Sequence, residues 1–217
     1  MPDLFDADGI AEERLIEVMA PGAVLLRGFA LLFVEEILEA LAGITAQAPF
    51  RHMITPWGAA MSVAMTNCGH AGWLTDRAGY RYDPIDPETG QPWPDMPECF
   101  RELASLAADR AGYPGFVPDA CLINRYAPGT RLSLHQDRDE RGYAHPIVSV
   151  SLGLPATFQF SGLKRRDPVR KFLMRHGDVA VWGGVSRLGY HGIAELKGGE
   201  HALFGKQRIN LTFRRAW

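Results

Sequence analysis

The chain has 217 residues, of which 47% are hydrophobic and 22% are charged, and its formal net charge is −2. This composition indicates one globular domain large enough to bury a core. It excludes fibrous and disordered proteins, and membrane-spanning ones too, since no run reaches the roughly 20 apolar residues of a spanning helix. The acidic start shows no secretory signal, and the net charge excludes nucleic-acid binding over the whole surface, so such binding would need a local basic patch.

Two amphipathic helices are predicted in the first half of the chain. The first covers residues 33–47, where apolar side chains recur at helical spacing and acids occupy the other face. Its apolar positions are Val34, Ile37, Leu38, Leu41 and Ile44. The second begins at Pro97 and ends at Gly112.

Between these helices, residues 49–95 follow no regular pattern and are rich in Gly, Pro, Thr and aromatic residues. The aromatic positions include Trp57, Trp73, Tyr80, Tyr82 and Trp93. A long polar segment with so many aromatic rings is unusual for a plain linker. We therefore interpret it as a lid or a binding surface.

From about residue 118 onward, short strands alternate with Pro and Gly turns. The predicted strands are Leu122–Tyr126, Arg131–Asp137, Ile147–Leu152, Thr157–Phe160, Val179–Trp182 and Arg208–Arg214. This pattern predicts an antiparallel sandwich or jelly roll within a single domain. The three cysteines, Cys68, Cys99 and Cys121, include no Cys-x-x-Cys, which predicts reduced thiols and a cytoplasmic protein.

Two His-x-Asp pairs occur in the chain, His135–Asp137 and His176–Asp178. Residues i and i+2 of a strand point to the same side, so both members of such a pair can reach one ion. The second pair has a glycine between its members and is interpreted as a turn. The first ends a predicted strand whose leucines occupy the other face, and Asp139 would share the polar face if the strand continued. His135 and Asp137 are thus predicted metal ligands.

His191, in Tyr190-His191-Gly192, is the third ligand that we propose. Two histidines and one carboxylate leave positions open on the ion, which favours non-haem iron(II) that takes a cosubstrate and O2. A structural zinc site would be closed and usually built from thiolates, and no cysteine is suitably spaced here. A packed histidine beside a solvated aspartate remains the alternative unless other residues support the triad.

The last predicted strand alternates polar and apolar residues. Its polar face carries Arg208, Asn210, Thr212 and Arg214. Guanidinium forks bind carboxylates in bidentate fashion, which indicates a carboxylate clamp, whereas an edge strand with a solvated face is the alternative. On an earlier strand, Asn124 and Tyr126 share a face and could complete a dicarboxylate site or could be satisfied by the backbone.

A cluster of basic residues lies between two of the predicted strands and could contact phosphates, although a solvated basic face is the alternative. Its members are Lys164, Arg165, Arg166, Arg170, Lys171 and Arg175.

Several segments, taken in order, resemble the AlkB alkylation-repair dioxygenases. They are Met61-Ser-Val-Ala-Met-Thr-Asn-Cys-Gly-His, Asp119-Ala-Cys-Leu-Ile-Asn, Asn124-Arg-Tyr-Ala-Pro-Gly, His135-Gln-Asp137, Tyr190-His191-Gly and Arg208-x-Asn-x-Thr-x-Arg214. The resemblance runs from about residue 22 to 216. It implies a mainly β fold with flanking helices, a double-stranded β-helix (jelly roll) preceded by helices and a nucleotide-recognition lid. The single domain 1–217 would then comprise an N-terminal extension and helix (1–48), the lid (49–95), and a helix with the catalytic core (96–217).

The resemblance also implies which residues bind the cofactors. It assigns Fe(II) to His135, Asp137 and His191. For 2-oxoglutarate, it assigns the distal carboxylate to Arg208 assisted by Tyr126 and Asn210, and the end that chelates iron to Arg214 and Asn124.

Substrate residues follow from the same resemblance. Trp73 would stack on a flipped base against His135, and Asp139 would face the exocyclic amine of that base. Other positions near the substrate are Thr55, Met61, Tyr80 and Arg165. The chain departs from the family at Ala59, where an aromatic residue is expected, and over residues 141–145. These departures leave base preference and strand context open.

The implied activity is oxidative demethylation of 1-methyladenine- and 3-methylcytosine-type bases in single-stranded DNA by a monomer. The reaction uses Fe(II), O2 and 2-oxoglutarate and releases formaldehyde, succinate and CO2. A methyl group on the pairing edge leaves a base unpaired, which lowers the cost of flipping it. Alternatives are the same chemistry on RNA or tRNA, an oxygenase with a substrate other than nucleic acid, and a jelly roll that binds without catalysis. The intact triad and both arginines argue against the last.

Overall fold

The computed structural model describes residues 15–217, so the start of the acidic N-terminal segment, residues 1–14, lies outside the described residues. Helix α1 spans Val34–Gln47 and helix α2 spans Glu98–Arg110, which confirms both predicted helices. Pro97 is the residue that precedes α2, and Gly112, with a φ of 86°, lies just beyond its end. No helix in the described part of the chain is long and apolar enough to cross a membrane.

Thirteen strands lie in the described residues. They are β1 (Ile16–Ala20), β2 (Ala23–Leu26), β3 (Ala64–Gly69), β4 (Gly72–Asp76), β5 (Gly79–Asp83), β6 (Ala120–Tyr126), β7 (Leu132–His135), β8 (Ile147–Gly153), β9 (Ala156–Phe160), β10 (Arg170–Met174), β11 (Val179–Trp182), β12 (His191–Ile193) and β13 (Arg208–Arg214). Two short 3-10 segments, Leu31–Phe33 and Gly184–Ser186, precede α1 and follow β11.

Two antiparallel sheets form the body of the protein. The larger has the order β1-β2-β11-β8-β13-β6-β3, and the smaller has the order β10-β9-β12-β7. The sheets pack against each other through aromatic rings: Trp182 of the larger sheet lies 5.8 Å from Phe158 and 6.1 Å from Phe160 of the smaller one, measured between ring centroids. This arrangement is the predicted jelly roll.

The helices cover the other face of the larger sheet, where Leu211 and Phe213 share a buried apolar cluster with residues of α1 and α2. The ring of Phe100 from α2 packs edge-on against Phe213 at 5.8 Å. Because side chains alternate along a strand, the polar residues of β13 must point the other way, toward the smaller sheet. The alternation in the last strand therefore reflects a helix-covered face and a polar face that is also buried.

The segment 49–95 is more regular than predicted. It contains β3, which joins the larger sheet, and the two-stranded hairpin of β4 and β5. Strand β3 was missed because its residues do not alternate between polar and apolar, although all six are buried. Its polar members have partners instead: Thr66 donates to the carbonyl of Ala48 at 2.7 Å, and the amide of Asn67 bonds both backbone groups of Trp73.

Candidate active site

Three side chains with metal-ligating atoms converge where β7 and β12 of the smaller sheet pair. His135 ends β7, His191 begins β12, and the two lie opposite each other in the strand register. Asp137 lies between them, with its carboxylate oxygens 3.6 Å from the Nε2 atom of each histidine. One ligand atom from each side chain lies within 4.8 Å of the others, and the described residues contain no other such group of three. The geometry therefore fits one metal ion.

The orientation of both imidazole rings is fixed by backbone carbonyls. His135 Nδ1 lies 2.9 Å from the carbonyl oxygen of Ser133, and His191 Nδ1 lies 3.0 Å from that of Gly189. An Nδ1–H that donates to a carbonyl leaves Nε2 unprotonated, which is the form that binds a metal. Gly192 lets the strands approach, because a Cβ there would lie 2.6 Å from the carbonyl oxygen of Leu132.

The charges around the triad keep its members ready to bind a cation. Burial favours a raised pKa for Asp137, but the Arg214 guanidinium and then the two histidines outweigh it and hold that pKa well below its ordinary value. Burial, followed by the charge of His135, lowers the pKa of His191 to about 3. At neutral pH the site therefore presents a carboxylate and a neutral His191 imidazole.

A pH dependence of stability follows for the metal-free protein. Because the pKa of His191 falls from 6.5 to about 3 on folding, the unfolded chain binds the extra proton between these values. Acid therefore favours unfolding, by up to about 1.4 kcal/mol for each pH unit in this window. The free energy of unfolding is measured by urea denaturation in EDTA at several pH values between about 3 and 6.5. It should depend less steeply on pH for His191→Gln than for the wild type, and an equal dependence on pH would contradict the assignment.

A cavity of about 760 Å³ opens beside the triad. All fourteen predicted site residues line it: Thr55, Met61, Trp73, Tyr80, Asn124, Tyr126, His135, Asp137, Asp139, Arg165, His191, Arg208, Asn210 and Arg214. The structure thus brings together residues that are far apart in the sequence. The cavity is large enough for both a small dicarboxylate and a flipped base.

Arg208 is a buried cation that lacks an acidic partner among the described residues. Strand β13 lies between β8 and β6, so the edge-strand interpretation is wrong. Arg208 Nε donates to Ser151 Oγ at 2.9 Å and its guanidinium lies 4.9 Å from the ring centroid of Tyr126, but Nη1 has no hydrogen-bond partner. Because an unpaired buried cation is costly, this donor fits an anionic ligand such as the carboxylate of 2-oxoglutarate.

Asn210 has its hydrogen-bonding groups engaged within the protein. Its amide nitrogen donates to Ser149 Oγ at 2.8 Å and to the carbonyl of Val150 at 2.9 Å. Its oxygen accepts from Asn124 Nδ2 at 3.1 Å and from Thr212 Oγ1 at 3.0 Å. Asn124 Oδ1, by contrast, is buried without a partner. The arrangement lets Asn210 orient Asn124, which lines the cavity and uses only one N–H of its Nδ2 in this contact.

The substrate side of the cavity carries an aromatic pair and a carboxylate. The rings of Trp73 and Tyr80 stack with centroids 5.7 Å apart, and Trp73 Nε1 donates to Asp139 Oδ2 at 2.8 Å. Ala59, where an aromatic ring was expected, lies exposed in the turn that begins at Thr55. Sequence reasoning missed Trp57 as a site residue; its side chain is 83% exposed in the same turn and lines the cavity.

The strand prediction for residues 131–137 extended too far. Strand β7 ends at His135, so Asp137 and Asp139 belong to the loop that follows. For that reason, sequence spacing did not reveal Glu140, whose buried carboxylate contacts Arg187 at 3.1 Å and Arg214 at 3.3 Å.

The second His-x-Asp pair is structural, as predicted. Asp178 accepts hydrogen bonds from the backbone N–H groups of Gly28 at 2.9 Å and Arg175 at 2.8 Å. His176 Nδ1 accepts from the N–H of Gly153 at 3.2 Å. The two side chains thus serve different turns.

All six members of the basic cluster are exposed, and Arg165 lies at the cavity, with its guanidinium 6.0 Å from the ring centroid of Tyr190.

Comparison with known proteins gives consistent matches. A sequence model of the 2OG-Fe(II) oxygenase superfamily matches residues 22–214. The chain is 61% identical over 216 residues to the alpha-ketoglutarate-dependent dioxygenase AlkB of Escherichia coli, covering 100% of this chain and 98% of that protein. It is 45% identical over 181 residues to an AlkB homolog of Caulobacter vibrioides, covering 83% and 80%. The solved structure of OsALKBH1 superposes with a TM-score of 0.81 at 28% identity, covering 92% of this chain and 99% of that one.

Proposed function

The chain belongs to the AlkB dioxygenases of the 2OG-Fe(II) oxygenase superfamily, and we propose that it demethylates 1-methyladenine- and 3-methylcytosine-type bases in single-stranded DNA. It is an Fe(II)- and 2-oxoglutarate-dependent dioxygenase. One observation carries the proposal: the three ligand side chains, the unpartnered donor of Arg208 and the indole of Trp73 all face one cavity. Metal, dicarboxylate and aromatic base would thus meet in a single space.

We assign the iron to His135, Asp137 and His191, the residues whose ligand atoms converge. When bound, the iron and 2-oxoglutarate supply the oxidation of the methyl carbon by O2, with succinate, CO2 and formaldehyde as products. Arg208 would hold the distal carboxylate through its free Nη1, in a position where burial strengthens the ion pair. Its guanidinium is kept in place by the ring of Tyr126.

Arg214 would act at the chelating end of the cosubstrate together with Asn124, which would donate there through the second N–H of its Nδ2, the first being bonded to Asn210. It already fixes the metal carboxylate, because Nε and Nη2 donate to Asp137 Oδ2 at 2.9 and 2.7 Å. The positive charge of Arg214 would therefore stabilise both the aspartate and a neighbouring carboxylate. Asn210 would contribute by orienting Asn124 and not by direct contact, since its own groups are engaged.

The base would enter between His135 and Trp73, which line the same cavity. Base–aromatic stacking contributes about 1–3 kcal/mol for each base. Asp139 would then face the exocyclic amine and favour a cationic base by the proximity of opposite charge. Thr55, Met61 and Tyr80 would line the entrance.

Phosphate contacts would come from Arg165 and the other exposed basic residues, which provide the local positive patch that the net charge of −2 requires. The three cysteines are free, which supports a reducing, cytoplasmic location. We further propose that the protein acts as a monomer, because a single chain is sufficient to supply the metal ligands and both arginines of the site.

The proposal is tested by comparing turnover of the same methylated sequence as single-stranded DNA, duplex DNA and RNA. We expect kcat/KM to be highest for the single-stranded DNA, since the duplex adds the cost of unpairing. A higher kcat/KM on the RNA would show that RNA, and not DNA, is the preferred substrate of the same reaction. Succinate formation that no methylated oligonucleotide stimulates would contradict a nucleic-acid substrate.

Substitution Asp139→Asn tests base selection. We expect kcat/KM for cationic 1-methyladenine to fall about two- to fivefold, the size of an exposed charge contact, with a smaller change for neutral 1-methylguanine. Asp109→Asn, an exposed change on α2, is the matched control. An equal loss on both bases would show that the charge of Asp139 does not select the substrate.

A further inference from the structure

The hairpin formed by β4 and β5 contacts the loop after β7 at two consecutive acidic residues. Trp73 Nε1 donates to Asp139 Oδ2 at 2.8 Å, and the Tyr82 hydroxyl donates to Glu140 Oε1 at 3.0 Å. Trp73 and Tyr82 lie directly opposite each other in the hairpin register, so their side chains share a face. The hairpin is therefore attached to the loop that carries Asp137 by two adjacent side chains.

These two attachments differ in exposure. Asp139 is exposed at the cavity, so a base could replace Trp73 as its partner. The Glu140 side chain is only 1% exposed, and neither Tyr82 nor Glu140 lines the cavity. The bond between Tyr82 and Glu140 is partly buried and lies outside the cavity, so it can persist while Asp139 changes partner.

The buried attachment continues to the metal carboxylate through Arg214. Glu140 Oε1 lies 3.3 Å from Arg214 Nε, and Arg214 donates to Asp137 Oδ2 at 2.9 and 2.7 Å. Arg187 adds a second connection, because its Nη2 lies 3.1 Å from Glu140 Oε2 and its Nη1 donates to the backbone carbonyl of Asp137 at 2.9 Å. Two acids and two guanidiniums, all buried, balance each other in charge.

We propose that Tyr82 and Glu140 are positioning residues that join the hairpin carrying Trp73 to the metal ligand Asp137 through Arg214. The inference rests on the proposed function for its biological meaning. Loading the site with metal and 2-oxoglutarate acts on the same guanidinium that Glu140 holds, so occupancy of the site and order of the hairpin are linked. By reciprocity, a hairpin fixed through Tyr82 strengthens binding at the metal site.

The substitution Tyr82→Phe removes one hydroxyl and leaves the ring. We expect it to weaken binding of Mn(II) with 2-oxoglutarate, measured by calorimetry without nucleic acid, by about tenfold, since the lost bond is to a buried carboxylate. Tyr113→Phe is the matched control, because that hydroxyl also donates a hydrogen bond, to the carbonyl of Gly22 at 2.7 Å, and its side chain does not line the cavity. The control should bind within about twofold of the wild type.

Hydrogen exchange of the backbone amides provides a second readout, independent of the affinity measurement. In the wild type, Mn(II) with 2-oxoglutarate should slow exchange over residues 72–83, and Tyr82→Phe should lose most of this protection. Unchanged affinity in Tyr82→Phe, or a wild-type hairpin that gains no protection, would overturn the inference. A wild type that binds Mn(II) and shows the protection but demethylates nothing would contradict the proposed function and leave this coupling standing.

Discussion

Replacing His135 with alanine is expected to abolish succinate formation and demethylation while the protein remains folded. The imidazole supplies one of three ligands, and the structure offers no substitute, because the described residues contain no second group of metal-ligating side chains. Loss of groups that merely orient ligands already costs about 10–100-fold in metal affinity or activity, so loss of a ligand should cost more. The His135 side chain is 35% exposed, which is why its removal should leave folding intact.

The control for this variant is His70→Ala, which removes an exposed histidine that does not line the cavity. It should retain wild-type turnover. Circular dichroism and the thermal midpoint establish that both variants are folded. Turnover by His135→Ala at the wild-type rate would show that the metal is held elsewhere.

Replacing Arg208 with alanine is expected to raise the KM for 2-oxoglutarate at least about thirtyfold, because removing one partner of a buried charge pair typically costs 2–5 kcal/mol. The side chain is 1% exposed and has an unpaired Nη1, so no solvent screens the missing contact. The kcat at saturating 2-oxoglutarate should change less than the KM, since the distal carboxylate is remote from the reacting carbon.

Two further substitutions sharpen this prediction. Arg208→Lys keeps the charge but loses the planar fork, and it should restore only part of the affinity. Arg215→Ala removes an exposed arginine at the end of β13 and should leave the KM unchanged. A KM for 2-oxoglutarate that stays the same in Arg208→Ala would place the cosubstrate in another part of the cavity.

The fold was predictable where one face of an element is apolar and the other is polar. Helix α1 and strand β13 both carry such a pattern, and both agree with the structure. Strand β3 was not predictable, because its residues Ala64–Gly69 show no alternation of polar and apolar side chains, and its buried polar side chains bond to neighbouring backbone. Strand β12 is only three residues long, and close approach through Gly192, a tertiary effect, allows it to pair with β7.

The candidate site was predictable in its residues more than in its connections. Spacing and alternation suggested the metal ligands and the polar residues of β6 and β13, whereas the family resemblance supplied their individual roles and the substrate residues. The network of Tyr82, Glu140 and Arg187 was missed, because β7 ends at His135 and the two-residue alternation of a strand does not extend into the acidic loop. Its members come from three distant segments, and a single sequence gives no signal that they meet.

The most direct test of the central claim is a single-turnover experiment. The metal-free protein is mixed with Fe(II), 2-oxoglutarate and a methylated single-stranded oligonucleotide without oxygen, and then O2 is admitted. Mass spectrometry should show loss of one methyl group from the oligonucleotide and one succinate for each base repaired, and neither should form before O2 is added. Succinate without any change in oligonucleotide mass, or demethylation that does not require 2-oxoglutarate, would contradict the account.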